Sequence, residues 1–282
     1  MPQTSHPAPG GFPPFIYGTA WKEDATHSLV RKALEAGFSG IDTANQRRHY
    51  VESAVGDAVA EAVKEGVTRR EDIFIQTKFT YAEGQDHRIP YDAGADPATQ
   101  VRQSFESSLK HLQTDYVDAY VLHGPSVRRG LADRDWATWR AMEAIHAEGG
   151  ARRLGVSNIE LDQLEALVDG AAVKPVFVQN RCYAQLEWDR PIRDYCRTHQ
   201  IVYQGFSLLT ANAFLLFHPG VRRIASRVGG TTEQVVFRFA IQLGMLPLTG
   251  TTSPVHMRQD LDCAAFTLTD DEVRYMEGIA LP

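Results

Sequence analysis

The sequence predicts a single (β/α)8 barrel, and three observations carry that reading. Short apolar runs alternate with longer segments of helical periodicity along the chain. The repeat is about 35 residues, which suits one βα unit with its loops. No glycine-rich fingerprint follows the first strand, as a doubly wound sheet would require. The one early candidate, Gly37-Phe38-Ser39-Gly40, precedes a strand instead.

The elements follow in order. Strands are predicted at Phe15–Gly18, Gly40–Thr43, Ile73–Thr77, Tyr116–Leu122, Arg153–Val156, Val176–Gln179, Ile201–Phe206 and Leu246–Thr249. Between them, apolar residues three and four apart place one apolar stripe on each helix. Ala25–Ala36 carries Leu29, Val30, Ala33 and Leu34, and Val51–Lys64 carries Val51, Val55, Val59 and Val63. Val101–Leu112 carries Val101, Phe105, Leu109 and Leu112. Trp136–Ala147, Leu161–Val168 and Pro191–Thr198 continue the alternation, and Leu268–Gly278 reads as a final packing helix. Asp24 is expected to cap one helix and Asp96-Pro97 to start another, with Gly37 and Gly149 just past helix ends. Residues 1–12, rich in Pro and Gly, read as a tail, and 13–282 as one catalytic domain.

Composition narrows the function classes. Of 282 residues, 43% are hydrophobic and 23% charged, ordinary values for a globular protein. The net charge of −6 disfavours a nucleic-acid-binding surface, and the basic pairs are scattered. No apolar run reaches the ~18–20 residues of a membrane span. Cys182, Cys196 and Cys263 are far apart and odd in number, which suggests neither a disulfide framework nor a metal site. A cytoplasmic setting fits best.

In such a barrel, chemistry sits at the C-terminal ends of the strands. Three consecutive predicted strands run into an ionisable residue there: Ile41 into Asp42, Thr77 into Lys78, and Leu122 into His123. Taken singly, each has a structural explanation as a helix cap, a surface charge or a satisfied loop histidine. Together they crowd one sector of the barrel mouth. A cationic Lys paired with Asp lowers the pKa of a nearby phenol. A histidine beside it orients a carbonyl by hydrogen bonding. The tyrosine nearest Asp42 is Tyr50.

With those residues in place, the sequence resembles the aldo-keto reductases. Gly18-Thr19-Ala20-Trp21 is similar to the family's G-T-x-W opening, and Gly40-Ile41-Asp42-Thr43-Ala44 to its I-D-T-A element. Thr77-Lys78, Leu122-His123-Gly124-Pro125 and Gly155-Val156-Ser157-Asn158 match further elements in the family's order. Gln179, Gly205-Phe206-Ser207-Leu208 and Gly250-Thr251-Thr252-Ser253-Pro254 complete the set.

The resemblance implies NADPH, with NADH possible, bound extended on the barrel without a Rossmann domain. It implies that Ser157, Asn158 and Gln179 hold the carboxamide and that Phe206 stacks on the nicotinamide. Gly18, Thr19, Asp42, Ser207 and Leu208 are further implied contacts. Gly250, Thr251, Thr252 and Arg258 belong with the phosphates. The implied reaction is reduction of an aldehyde or ketone by hydride transfer. A tyrosine is the acid, helped by Lys78 and Asp42, and His123 binds the carbonyl oxygen. No metal is required.

The sequence departs from the family where it reads Asp42-Thr43-Ala44-Asn45-Gln46-Arg47-Arg48-His49-Tyr50. The usual D-T-A-x-x-Y spacing places Arg47 at the tyrosine position. Gly56 lies 14 residues past Asp42, two more than usual, so Tyr50 is expected to take the displaced role. His49 and Tyr81 stand as alternatives. The long Tyr81–Thr99 segment is expected to line the substrate mouth with Trp21, Tyr81 and His123. The short C-terminal segment predicts an open, tolerant pocket, on a monomer or weak dimer. A cofactor-binding regulatory protein, like the potassium-channel β subunits of this fold, and a non-redox lyase or isomerase remain alternatives.

Overall fold

Eight parallel strands close on themselves in sequence order. They are β1 (Ile16–Gly18), β2 (Gly40–Asp42), β3 (Phe74–Phe79), β4 (Ala119–Leu122), β5 (Leu154–Ser157), β6 (Phe177–Arg181), β7 (Val202–Phe206) and β8 (Leu246–Thr249). The computed structural model of the protein describes residues 11–280. Most of the expected tail lies outside these residues. Phe12, however, is packed rather than loose. Its ring meets Phe177 at 5.0 Å and Phe74 at 6.3 Å, closing the N-terminal end of the barrel.

All eight predicted strands form, within a few residues of the expected bounds. β3 runs on to Phe79, so Lys78 lies inside a strand rather than just past its end. The period of two then turns Phe74, Gln76 and Lys78 the same way. Phe74 joins Ile16, Ala119, Phe177, Leu246 and Leu248 in an apolar layer, and the polar pair stands above it. A second core joins the outside of the strands to the surrounding helices, with Trp139, Phe105 and Tyr120 among its fully packed members.

The helices are α1 (Thr26–Ala36), α2 (Glu52–Lys64), α3 (Pro97–Leu112), α4 (Asp133–Ala147), α5 (Leu161–Gly170), α6 (Arg190–Thr198), α7 (Pro219–Val228), α8 (Thr232–Gln242), α9 (Pro254–Asp262) and α10 (Asp270–Gly278). Asp96 caps α3 by accepting from the Ala98 and Thr99 amides, with Pro97 in the first turn. Gly37 ends α1 in the left-handed region, at φ 108°. The expected cap at Asp24 does not form. Asp24 sits in a short 3-10 turn, and α1 starts after Ala25 with no side-chain cap.

Gly56 is where α2 meets α3 most closely. A Cβ there would lie 1.9 Å from the His111 carbonyl oxygen. Only a residue without a side chain permits this approach, which fixes the helix that follows Tyr50. Gly56→Ala is expected to force the helices apart and destabilise the fold by about 1–3 kcal/mol. At about 2–4 °C per kcal/mol for a chain of this size, thermal unfolding reads that as a Tm lower by several degrees.

Candidate active site

The C-terminal ends of the strands open into a cleft of about 860 Å³. Parallel register brings Asp42 beside Gln76, Ser157 beside Gln179, and Gln179 beside Gln204. These polar side chains meet in the barrel interior. Lys78 Nζ donates to Asp42 Oδ1 at 2.6 Å and to the Thr43 carbonyl at 2.9 Å. Asp42 Oδ1 also accepts from Gln76 at 2.6 Å and from Gln179 at 3.1 Å. Gln76 and Gln179 both donate to Gln204 Oε1, and Gln204 returns a bond to Gln76.

Lys78 has no solvent exposure. Burial works against its ammonium, but Asp42 and Tyr50 outweigh it, and its pKa stands above the ordinary value. A fixed positive charge is thereby held beneath the cleft. Tyr50 lies above it, with Lys78 Nζ 5.0 Å from the ring centroid. The Tyr50 ring also meets His123 edge to face, at 6.1 Å between centroids. Burial raises the pKa of the phenol, and the Lys78 charge pulls against that rise. At neutral pH the phenol therefore keeps its proton.

His123 lines the cleft and is held neutral. Burial, then the charges of Lys78 and His49, bring its pKa down to about 3. Thr80 Oγ1 lies 2.7 Å from His123 Nδ1. With that hydroxyl donating to Nδ1, the proton of the neutral ring sits on Nε2 and the ring is a hydrogen-bond donor. Thr80 was not legible as a site residue in sequence, because it follows the strand as an ordinary hydroxyl.

The segment from Asn45 to Tyr50 is braced from outside the barrel. Gln46 donates to the Gly84 carbonyl, Gln85 to Asn45, and Arg88 to Arg47. Tyr50 N closes a turn on Gln46 O, and Trp21 N donates to His49 O. The Tyr81–Thr99 segment therefore supports the Tyr50 loop and does not line the cleft. Tyr81 is buried, with its hydroxyl on Asp135 at 2.8 Å and the Arg134 guanidinium over its ring. The polar end of Tyr81 is spent on Asp135, which removes it from the expected substrate set. His49 stacks on the exposed Trp21, at 3.9 Å between centroids, on the cleft's rim.

The other expected residues divide as follows. Gly18, Trp21, Ser157, Asn158, Gln179, Phe206, Ser207, Leu208, Gly250 and Thr251 all line the cleft. Trp21, Asn158 and Ser207 hold left-handed backbone at φ 61°, 52° and 57°. For residues other than glycine this costs about 1–3 kcal/mol and gathers where side chains are aimed for function. Thr19 is buried behind the site, bonding the Asp42 carbonyl through its amide and hydroxyl. Thr252, in the loop before α9, and Arg258, on the outer side of α9, are exposed and do not line the cleft.

Sequence reading missed Lys22, Arg181, Glu233, Gln259 and Asp260, which do line it. Lys22 donates to the Gly250 carbonyl. Asp260 is buried, takes a bond from Thr249 at 2.8 Å, and has its pKa pushed up to about 7 by burial, with Glu233 adding to the rise.

The sequence model of the Aldo/keto reductase family matches residues 15–281. The chain belongs to the aldo/keto reductase family. It is 30% identical to the methylglyoxal reductase DkgA of Escherichia coli, over 87% of this chain and 81% of that protein. A solved aldo/keto reductase from Brucella melitensis superposes with a TM-score of 0.82 at 28% identity, covering 98% of this chain and 99% of its own. An aldo-keto reductase complexed with NADPH superposes at 0.81 with 26% identity, covering 94% and 84% of the two chains. This aldo/keto reductase has no helix among the described residues long and apolar enough to cross a membrane.

Removing the ammonium tests the buried charge pair. Lys78→Met is expected to leave Asp42 unpaired and to destabilise the protein by about 3–5 kcal/mol. The double change Lys78→Met/Asp42→Asn is expected to recover much of that loss, as read by denaturant unfolding.

Proposed function

We propose that this aldo/keto reductase reduces an aldehyde or ketone with NADPH, with Tyr50 as the proton donor. The observation that carries the proposal is the buried Lys78–Asp42 pair beneath Tyr50, beside a neutral His123. The acceptors on the inner wall suit a carboxamide. Gln179 Oε1 and Asn158 Oδ1 have no partner among the described residues, and both side chains reach the cleft. Two acceptors so placed suit the two N–H groups of an amide. Phe206, beside them, offers an aromatic face for stacking.

When bound, the nicotinamide supplies the hydride. His123 donates from Nε2–H to the carbonyl oxygen and stabilises the negative charge that develops there. Tyr50 transfers its phenolic proton to that oxygen. The phenolate left behind faces the Lys78 ammonium, whose own charge is compensated by Asp42. His123 is too weakly basic to be the proton donor at neutral pH. A displaced tyrosine thus meets the same requirement as one at the usual spacing.

The test follows NADPH absorbance with a panel of aromatic and aliphatic aldehydes and ketones. Tyr50→Phe is expected to lose about 10²–10⁴-fold in kcat/KM while still binding the dinucleotide. A rate equal to the unmodified protein would exclude Tyr50 as the acid. Binding of NADPH with no turnover of any carbonyl would favour a cofactor-binding regulatory protein.

The pH dependence has a definite sign. His123, with a pKa near 3, stays neutral as pH rises through the physiological range. We therefore expect no limb from His123 in kcat/KM for the carbonyl, at saturating dinucleotide, between about pH 5 and 8, the usual histidine window. Activity is expected to fall only in alkali, as the Tyr50 phenol loses its proton. Thr80→Val, which frees Nδ1, is expected to lower kcat more than it raises KM, and Thr80→Ser to restore it.

A further inference from the structure

The end of the cleft away from Tyr50 carries an uncommon charge pattern for a phosphorylated ligand. It is formed by Glu233 at the start of α8 and by His256, Gln259 and Asp260 on α9. Asp260 is 3% exposed. Thr249 holds its Oδ2 at 2.8 Å, while Oδ1 has no hydrogen-bond partner among the described residues. Glu233 is half-buried and close enough for its charge to act on Asp260. On that side Lys22, held by the Gly250 carbonyl, is the one lysine or arginine lining the cleft among the described residues. Arg258 is turned to solvent.

On the dinucleotide reading given above, the nicotinamide occupies the Ser157–Gln179 end and the adenosine falls here. The two dinucleotides differ only at the ribose 2′ position. A 2′-hydroxyl donates a hydrogen bond, which a carboxylate accepts. A 2′-phosphate brings about −1.5 to −2 charges and only acceptors, so a carboxylate beside it repels it. Carboxylates reading a 2′-hydroxyl and guanidinium groups reading a 2′-phosphate is the general chemistry of this choice.

We propose that Glu233 and Asp260 make this end of the cleft a site for an unphosphorylated ribose, so that the protein binds NADH about as tightly as NADPH. The two carboxyl groups are specificity residues and take no part in the chemistry at Tyr50.

Isothermal titration calorimetry with NADH and NADPH, and with ADP-ribose and its 2′-phosphate, tests this without turnover. The unmodified protein is expected to bind the two dinucleotides within about tenfold of one another. Glu233→Gln is expected to tighten NADPH by about tenfold relative to NADH, and the isosteric Asp260→Asn to do so at about pH 8, where Asp260 is ionised. Glu233 is half-exposed, so Glu233→Gln supplies the result should Asp260→Asn fail to fold. A preference for NADPH of about a hundredfold or more in the unmodified protein would overturn the proposal. So would an unchanged ratio in the folded variants. If neither dinucleotide binds, the dinucleotide reading fails and this proposal fails with it. Tight binding of both without carbonyl reduction would overturn only the assigned reaction.

Discussion

The structure of the site depends on a charge buried at the centre of the barrel. An isolated ammonium there would give up its proton rather than remain charged without water. Asp42 prevents that, and Gln76, Gln179 and Gln204 prevent Asp42 from being a bare carboxylate. Four strands contribute to this network, so its geometry is set by the closure of the barrel. Breaking one member leaves a buried polar group without a partner, which makes the network cooperative.

What lies above follows from that charge. The phenol of Tyr50 and the imidazole of His123 occupy the same low-dielectric space, and both feel Lys78. The cation favours a phenolate and disfavours an imidazolium. Two groups that titrate in water are held as a protonated phenol and a neutral imidazole at neutral pH. Thr80 completes the division by its bond to the ring nitrogen away from the chemistry.

The loop between β2 and α2 is held in place by bonds from outside the barrel. Tyr50 reaches Lys78 because the loop folds into a turn at Gln46 and is tied outward by Gln46, Gln85 and Arg88. Gly56 then lets α2 lie directly on α3. Side-chain bonds to loop carbonyls satisfy backbone that no strand can pair. The long segment after Lys78 is the support for that turn.

The alternation of apolar runs, together with Asp42, Lys78 and His123 at three successive strand ends, made the barrel and one sector of its mouth legible in sequence. These are properties of local periodicity and of strand direction, which a linear chain records. Gln76 carried a readable trace, since it stands two residues before Lys78 and so shares its face. Phe12 packing as a plug, and Tyr81 turning to Asp135, depend on partners 165 and 54 residues away, and no local pattern encodes them. Asp260 and Glu233 likewise line one cleft only because α8 and α9 converge on it. The sequence by itself determined the repeat, the order of the strands and the residue types available for chemistry. Burial, and with it the charge state of each group, was decided only by the tertiary structure, because exclusion of water is a property of the closed barrel and not of any segment within it.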